Sequence, residues 1–271
     1  MKKISLILIA YCLTLTTSAQ QKEGRVLYIR TIQMQTRVSS NNDAVQQILP
    51  STHTDKFELT FGNNQSLWKH VDEDETNDEA GGSNGMQIRM VGPGQNDIVF
   101  HDFAAAKKTE QRDIMDKKFI VTDSIRKLNW KLTGETQTIL GHVCQKAVAQ
   151  RTGKRTQMTM DNGKMEKKQI NDTTDIIAWF TSEIPVPAGP EVQGQLPGLI
   201  LALDMNNGRM VYKAIEISAK ADIASIKEPT KGKKLTPDEF TKERDKMMEE
   251  MQKNSMINVG NNGSRTIRIQ N

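Results

Sequence analysis

Apolar side chains recur at every second position through most of this chain, the spacing of strands with one buried face rather than of amphipathic helices. Val26, Tyr28, Ile32 and Met34 set the pattern. Phe57, Leu59 and Phe61 repeat it up to Gly62-Asn63-Asn64-Gln65, a turn composition, and the chain returns through Leu67 and Trp68, which predicts a hairpin. Further strands are expected at residues 86–91, 97–103, 118–122, 128–132, 139–150, 158–161, 176–181, 199–205 and 211–218, with Gly, Asn, Asp or Pro in nearly every gap. No helix-length amphipathic segment separates them, so the pattern predicts a mainly β, mostly antiparallel domain (a meander, barrel or sandwich) and argues against a βαβ sheet.

Two segments break the alternation. Thr236-Pro237-Asp238-Glu239 has the form of a helix start: an N-cap threonine, proline at the first helical position, glutamate at the third, and Leu235 placed to pack on Phe240. Phe240, Met247 and Met251 then fall on one stripe, predicting an amphipathic helix held by a narrow apolar seam. The other segment, residues 183–191, carries Pro185, Pro187 and Pro190, each fixing φ and removing a donor, so it must cross the domain as an extended strap outside any central strand. It leads into Leu196-Pro197-Gly198-Leu199, which reads as a type II turn with positive φ at Gly198. Beyond it Leu199, Leu201 and Leu203 fall on one face and Ile200 and Ala202 on the other, the mark of a strand buried on both sides.

Lys2 and Lys3 precede an apolar run too short to span a bilayer, followed by the small residues Thr17-Ser18-Ala19, so residues 1–19 are read as a secretory signal cleaved near Ala19. Cleavage removes two lysines and lowers the formal charge from +4 to +2, a balance that argues against nucleic acid as a partner. The mature chain is then periplasmic or secreted and not transmembrane. Of the two cysteines only Cys144 survives, so stability must come from a core rather than a disulfide. Residues 20–226 are expected to form the β domain, 227–254 a basic linker and the helix, and 255–271 a flexible tail in which 266–269 offers an edge strand.

Trp130, then Glu135-Thr136-Gln137-Thr138-Ile139-Leu140-Gly141-His142-Val143-Cys144-Gln145-Lys146-Ala147, then Trp179-Phe180-Thr181, Ile184-Pro185, Gly189-Pro190 and Leu196-Pro197-Gly198-Leu199-Ile200 together resemble the GLPGLI family of exported Bacteroidetes proteins. Gln195 replaces the first glycine of the eponymous motif, although Gly194 stands beside it. The resemblance covers about residues 25–220 and implies a single curved antiparallel sheet, a half barrel or bowl. In shape it would be akin to periplasmic lipoprotein carriers and to the N-terminal domain of some secreted peptide-N-glycosidases. It implies no activity and no cofactor, and fold alone does not fix function.

Candidate chemistry is sparse. His142 and Cys144, two apart on a presumed strand, offer a base and a thiol, against the plainer reading of Cys144 as a small buried hydrophobe. Met247 and Met251 offer thioethers for Cu(I), against seam packing. The acidic run at residues 72–79 suggests calcium, but the EF-hand register fails for want of a glycine at the sixth position. Asp172 with Asp175 and Glu183 with Glu191 are carboxylate pairs near the strap, and Arg151, Lys154, Arg155, Lys164, Lys167 and Lys168 read as a basic rim around two Gly-containing turns. With no nucleophile elbow, P-loop or dinucleotide fingerprint, no cofactor is called for. The sequence favours a noncatalytic protein binding an apolar ligand, a peptide or an outer-membrane protein segment. The competing readings are an envelope or glycan hydrolase and Met-based copper handling.

Overall fold

The computed structural model describes residues 21–38, 47–71, 94–115, 117–161 and 164–259. They form β1 (Gly24–Val38), β2 (Gln47–Gly62), β3 (Gln65–His70), β4 (Ile98–Asp102), β5 (Lys107–Ile114), β6 (Lys117–Ser124), β7 (Lys131–Ile139), β8 (His142–Asp161), β9 (Lys164–Thr181), β10 (Leu199–Met205), β11 (Met210–Ser218), β12 (Lys233–Leu235) and helix α1 (Pro237–Val259). All twelve strands join one open sheet in the order β12-β6-β5-β4-β3-β2-β1-β11-β10-β9-β8-β7. The expected single antiparallel sheet is therefore present, with one correction: β12 pairs β6 in parallel, which makes the sheet mixed. The expected strands at 86–91 and 266–269 and the acidic run at 72–79 lie outside the described residues.

Tight turns set the registers. Asn63 and Asn64 take φ of 52° and 58°, the left-handed pair that matches the twist of a two-residue hairpin, and they join β2 to β3. Leu140 and Gly141 do the same at 49° and 84°, splitting the expected 139–150 strand into the end of β7 and the start of β8. The expected 128–132 strand begins only at Lys131. Gly153 lies inside β8, so the basic residues around it sit on a strand and not at a turn.

The core lies on one face, built by Val26, Tyr28, Phe57, Leu59, Phe61, Ile176, Ala178, Phe180, Leu203 and Tyr212, and the strap supplies its second layer. Along the strap Ile184, Val186 and Ala188 are buried while Glu183 and Pro185 are exposed, the alternation of an extended chain with one face against the sheet. Leu199 N donates to Ile184 O at 3.0 Å and Ile200 N to Ala188 O at 2.9 Å, so the strap also borrows backbone partners from β10. A bulge between Ile200 and Ala202 interrupts the β9 register, and Leu199, Ile200, Leu201 and Leu203 are all buried.

Helix α1 docks by its edge on β6 and β12, with Phe240 edge-on to Phe119 at 5.7 Å. The capping box forms as expected: Thr236 N donates to Glu239 Oε2 at 2.8 Å and Glu239 N to Thr236 Oγ1 at 3.3 Å. Two ribbons leave the sheet at the opposite extreme of β1 and β9. β8 and β9 pair out to Asp161 and Lys164, whereas β7 follows β8 only to Val148 and β10 follows β9 only to Ile176. β1 and β2 likewise pair out to Val38 and Gln47, beyond the last β11 partner at Ile32. The β10–β11 turn sits between them, with Gln33 N donating to Arg209 O at 2.9 Å and Asn206 N to Asp175 O at 2.8 Å.

Candidate functional site

The strap is the first place to look, because it covers the core face of the sheet. Its carbonyls and side chains are tied to strands on both sides. Tyr28 Oη donates to Ile200 O at 2.7 Å, Ser66 Oγ to Gln193 Oε1 at 2.6 Å, and Tyr212 Oη to Glu191 Oε1 at 2.7 Å. Gln195 Oε1 accepts from Leu128 N at 2.9 Å and from Trp130 Nε1 at 3.1 Å. Burial pushes both tyrosine hydroxyls far above their usual range, so they serve as neutral donors. Of the signature residues, Phe180, Leu196, Leu199 and Ile200 lie in the core and Trp179 packs against it, Gly189, Pro190 and Gly198 are buried, and Pro185 and Pro197 are exposed.

Gly198 is required for a different reason from the one the sequence suggests. Its φ is not positive, and the expected type II turn is not formed. A Cβ at Gly198 would instead collide with the Thr181 carbonyl, its carbon 2.7 Å away, so only glycine lets the strap's end lie against β9. The positive φ falls upstream, at Gly189 (153°) and Gly194 (77°), and at Gly189 an added Cβ would stand 2.6 Å from Ile200 Cβ.

A polar cluster lies at the ribbon end of the same face. Arg30 Nη2 donates to Asp55 Oδ2 at 2.7 Å and Nε at 3.1 Å, and the guanidinium stands 4.6 Å over the Phe57 ring. His53 Nε2 reaches Asp55 Oδ1 at 2.8 Å, and His70 Nε2 lies 4.0 Å from that oxygen and 3.1 Å from Gln95 Nε2. Both carboxylate oxygens are engaged, which is what a buried ion pair needs to offset its desolvation. Chemically this is an oriented imidazole, His53, at the rim of the aromatic group Tyr28, Phe57, Trp68 and Tyr212.

The residues expected to react do not converge. His142 Nδ1 turns to Glu183 Oε2 at 2.6 Å, and Glu183 also accepts from Val143 N at 3.1 Å; these two bonds hold its carboxyl below the usual range. Cys144 is fully buried, its Sγ 3.6 Å from the His142 carbonyl, and burial followed by the Glu183 charge pushes the thiol up to about 11. A thiol so raised is a poor nucleophile at neutral pH. Glu183 and Glu191 serve different partners, His142 and Tyr212, and Asp175 accepts from Gln150 Nε2 at 2.9 Å. On α1, Met247 is buried while Met251, one turn on, is exposed.

Strand β7 is an exposed edge of the sheet. It forms one end of the strand order, and every residue from Lys131 to Thr138 is exposed. Its first half is irregular: the register jumps from Leu132↔Ala147 to Thr136↔Gln145 around Gly134, and Glu135 is held by Lys146 Nζ at 2.9 Å. Bulges and charges of this kind blunt an edge. The second half, Thr136-Gln137-Thr138-Ile139, is regular and uncharged. In a two-residue hairpin Ile139 and Gln137 bond inward to His142 and Cys144, which leaves the main-chain groups of Thr136 and Thr138 facing outward. Exposed Leu140 and Val143 lie just beyond.

The fold and these features define an open β-sheet protein sealed by its own proline strap. Residues 130–202, from Trp130 through β7, β8, β9 and the strap into β10, match a family described as a protein of unknown function, Porph_ging. Among solved structures, PNGF-II is similar in two crystal forms. One matches at 17% identity and TM-score 0.44 over 80% of this chain and 32% of that chain, the other at 17% and 0.42 over 80% and 33%. The chain thus spans about a third of the length of those structures. No curated protein matches.

Proposed function

We propose that this is an exported, noncatalytic envelope protein of the GLPGLI type, with residues 1–19 removed, 20–226 forming the β domain, 227–254 the linker and helix and 255–271 a tail. Its partner is an extended polypeptide, a peptide or an outer-membrane protein segment, added as a strand on β7. The observation that carries this reading is the exposed, uncharged, outward-facing edge at Thr136 and Thr138, inside the segment that matches the family. Strand addition draws affinity from main-chain hydrogen bonds and needs only such an edge with apolar contacts beside it. A lipid in the bowl is the weaker reading, because the strap's Ile184, Val186, Ala188, Val192 and Leu196 already cover the apolar floor.

A photoreactive phenylalanine at Thr136 or Thr138, introduced in the native host, tests the edge. The expected result is a discrete adduct that disappears when Thr138→Pro removes an outward N–H, with no adduct from the same probe at Lys213 in mid-sheet. Equal labelling from both places would end the proposal. Export is checked by N-terminal sequencing of the mature protein, which should begin at Gln20.

A further inference from the structure

Leu132 ends a row of core residues. Across the sheet Tyr212 opposes Leu203, Leu203 opposes Ala178, Ala178 opposes Ala147 and Ala147 opposes Leu132. Opposed residues share a face, so the whole row belongs to the core side. Tyr212, Leu203, Ala178 and Ala147 are buried while Leu132 is 56% exposed, because no strand among the described residues lies beyond β7. Side chains alternate along β8, so Val143 stands on the same face as Ala147, and it is 53% exposed. Thr138 opposes Val143 and Thr136 opposes Gln145, which puts both threonines on that face too. The other face of the hairpin carries charge: Lys131 opposes Val148 there, and Lys146, on the same face as Val148, holds Glu135 at 2.9 Å.

We infer that the partner strand on β7 is amphipathic, with apolar side chains at alternate positions on the core side and polar ones on the other; this rests on the strand addition proposed above. A strand hydrogen-bonded to Thr136 and Thr138 continues the pleat, so every second side chain falls in line with the rows that end at Leu132 and Thr138. An apolar side chain there covers the exposed parts of Leu132 and Val143, whereas a charged one would lose water beside them and gain no partner. On the other face Lys131 favours an acidic or neutral neighbour over a basic one. Main-chain bonds accept almost any sequence, so the alternation sets the specificity. The partner therefore has the chemistry of a strand from a half-buried sheet, and not that of a charged or glycine-rich linear peptide.

The probes are short synthetic peptides of one composition, valine with threonine and glutamate, either strictly alternating or with the valines in one block, each carrying a terminal photoreactive phenylalanine. The purified mature chain is expected to capture the alternating peptide about tenfold more efficiently, the factor that about 1.4 kcal/mol of apolar burial gives, with the adduct mapping to the β7–β8 hairpin. Leu132→Thr/Val143→Thr should abolish the preference, and because both side chains are more than half exposed its urea midpoint should match wild type. Should that variant misfold, the two peptides on wild type still decide the matter. Equal capture of the two peptides, or a preference that persists in the folded double variant, overturns the amphipathic partner and leaves strand addition standing. Capture of neither peptide by a chain that yields its host adduct from Thr138 does the same. Absence of that host adduct removes strand addition, and this inference with it.

Discussion

Strands β10 and β5 are both interior to the sheet, yet one reads Leu-Ile-Leu-Ala-Leu-Asp-Met and the other Lys-Lys-Thr-Glu-Gln-Arg-Asp-Ile. β10 is buried by apolar contact, under the strap and among its neighbours. β5 is held by polar ties. Thr109, fully buried, donates to Glu228 Oε1 at 2.7 Å, and Arg112 bridges Asp97 at 2.5 Å and Glu110 at 3.0 Å. The two strands therefore differ in what a substitution can remove. On β10 it removes packing that nothing replaces, and on β5 it removes a bond whose partner can turn to water.

The largest losses should come from the apolar side. Leu201→Ala should cost about 4 kcal/mol, the deletion of a fully buried side chain from a core closed on both faces. Gly198→Ala should cost about 3 kcal/mol, because its Cβ must displace the β9 backbone at Thr181. Urea unfolding of both variants measures this, and a Gly198→Ala midpoint within error of wild type would refute the close approach of strap and strand.

An intermediate effect is expected from the polar flank and depends on pH. His101 on β4 is buried, with Nδ1 lacking a hydrogen-bond partner among the described residues, and burial, aided by Lys108 and opposed by Glu110, lowers its pKa from 6.5 to about 4. The folded protein thus resists a proton that the unfolded chain accepts. The stability this confers is complete above pH 6.5, falls as pH drops toward about 4, and is constant below that. Between about pH 7 and pH 5 the loss should be about 2 kcal/mol. His101→Phe, which keeps a buried ring and removes the titration, should flatten that part of the profile. An unchanged slope would show that His101 is not the group responsible.

The same contrast explains which parts of the molecule were legible in the sequence. Apolar alternation located β1, β2, β4, β6, β10 and β11, because each feeds the core. It passed over β5, whose buried positions are the polar Thr109 and Gln111, Thr109 donating to Glu228. It ran β7 into β8, because Ile139 and Val143-Cys144 stand on either side of Leu140-Gly141, itself half apolar, and mask a two-residue turn. The Arg30–Asp55–His53 cluster does leave a trace in the sequence. Arg30 stands at the inward position between Tyr28 and Ile32, and Asp55 stands at the inward position before Phe57, two opposite charges in register with two runs of core residues. A charge in a core-facing position needs a partner, and here each is the other's. At Gly198 the residue was recognised and its reason was not, since a contact with a distant backbone leaves no local mark.

The smallest effects should come from the outermost layer of β5, where two groups share Glu228. Thr109 Oγ1 and Lys107 Nζ both donate to its Oε1, at 2.7 and 2.6 Å, but the hydroxyl is buried and the ammonium is not. Thr109→Val keeps the shape and deletes the donor, which should cost about 1 kcal/mol, whereas Lys107→Ala should cost less than about 0.5 kcal/mol and vanish in high salt. The order of the two, read from urea midpoints at low and high salt, matters more than either value. If the exposed lysine proved the costlier loss, β5 would be held by surface charge rather than by buried hydrogen bonds, and its contrast with β10 would need a different explanation.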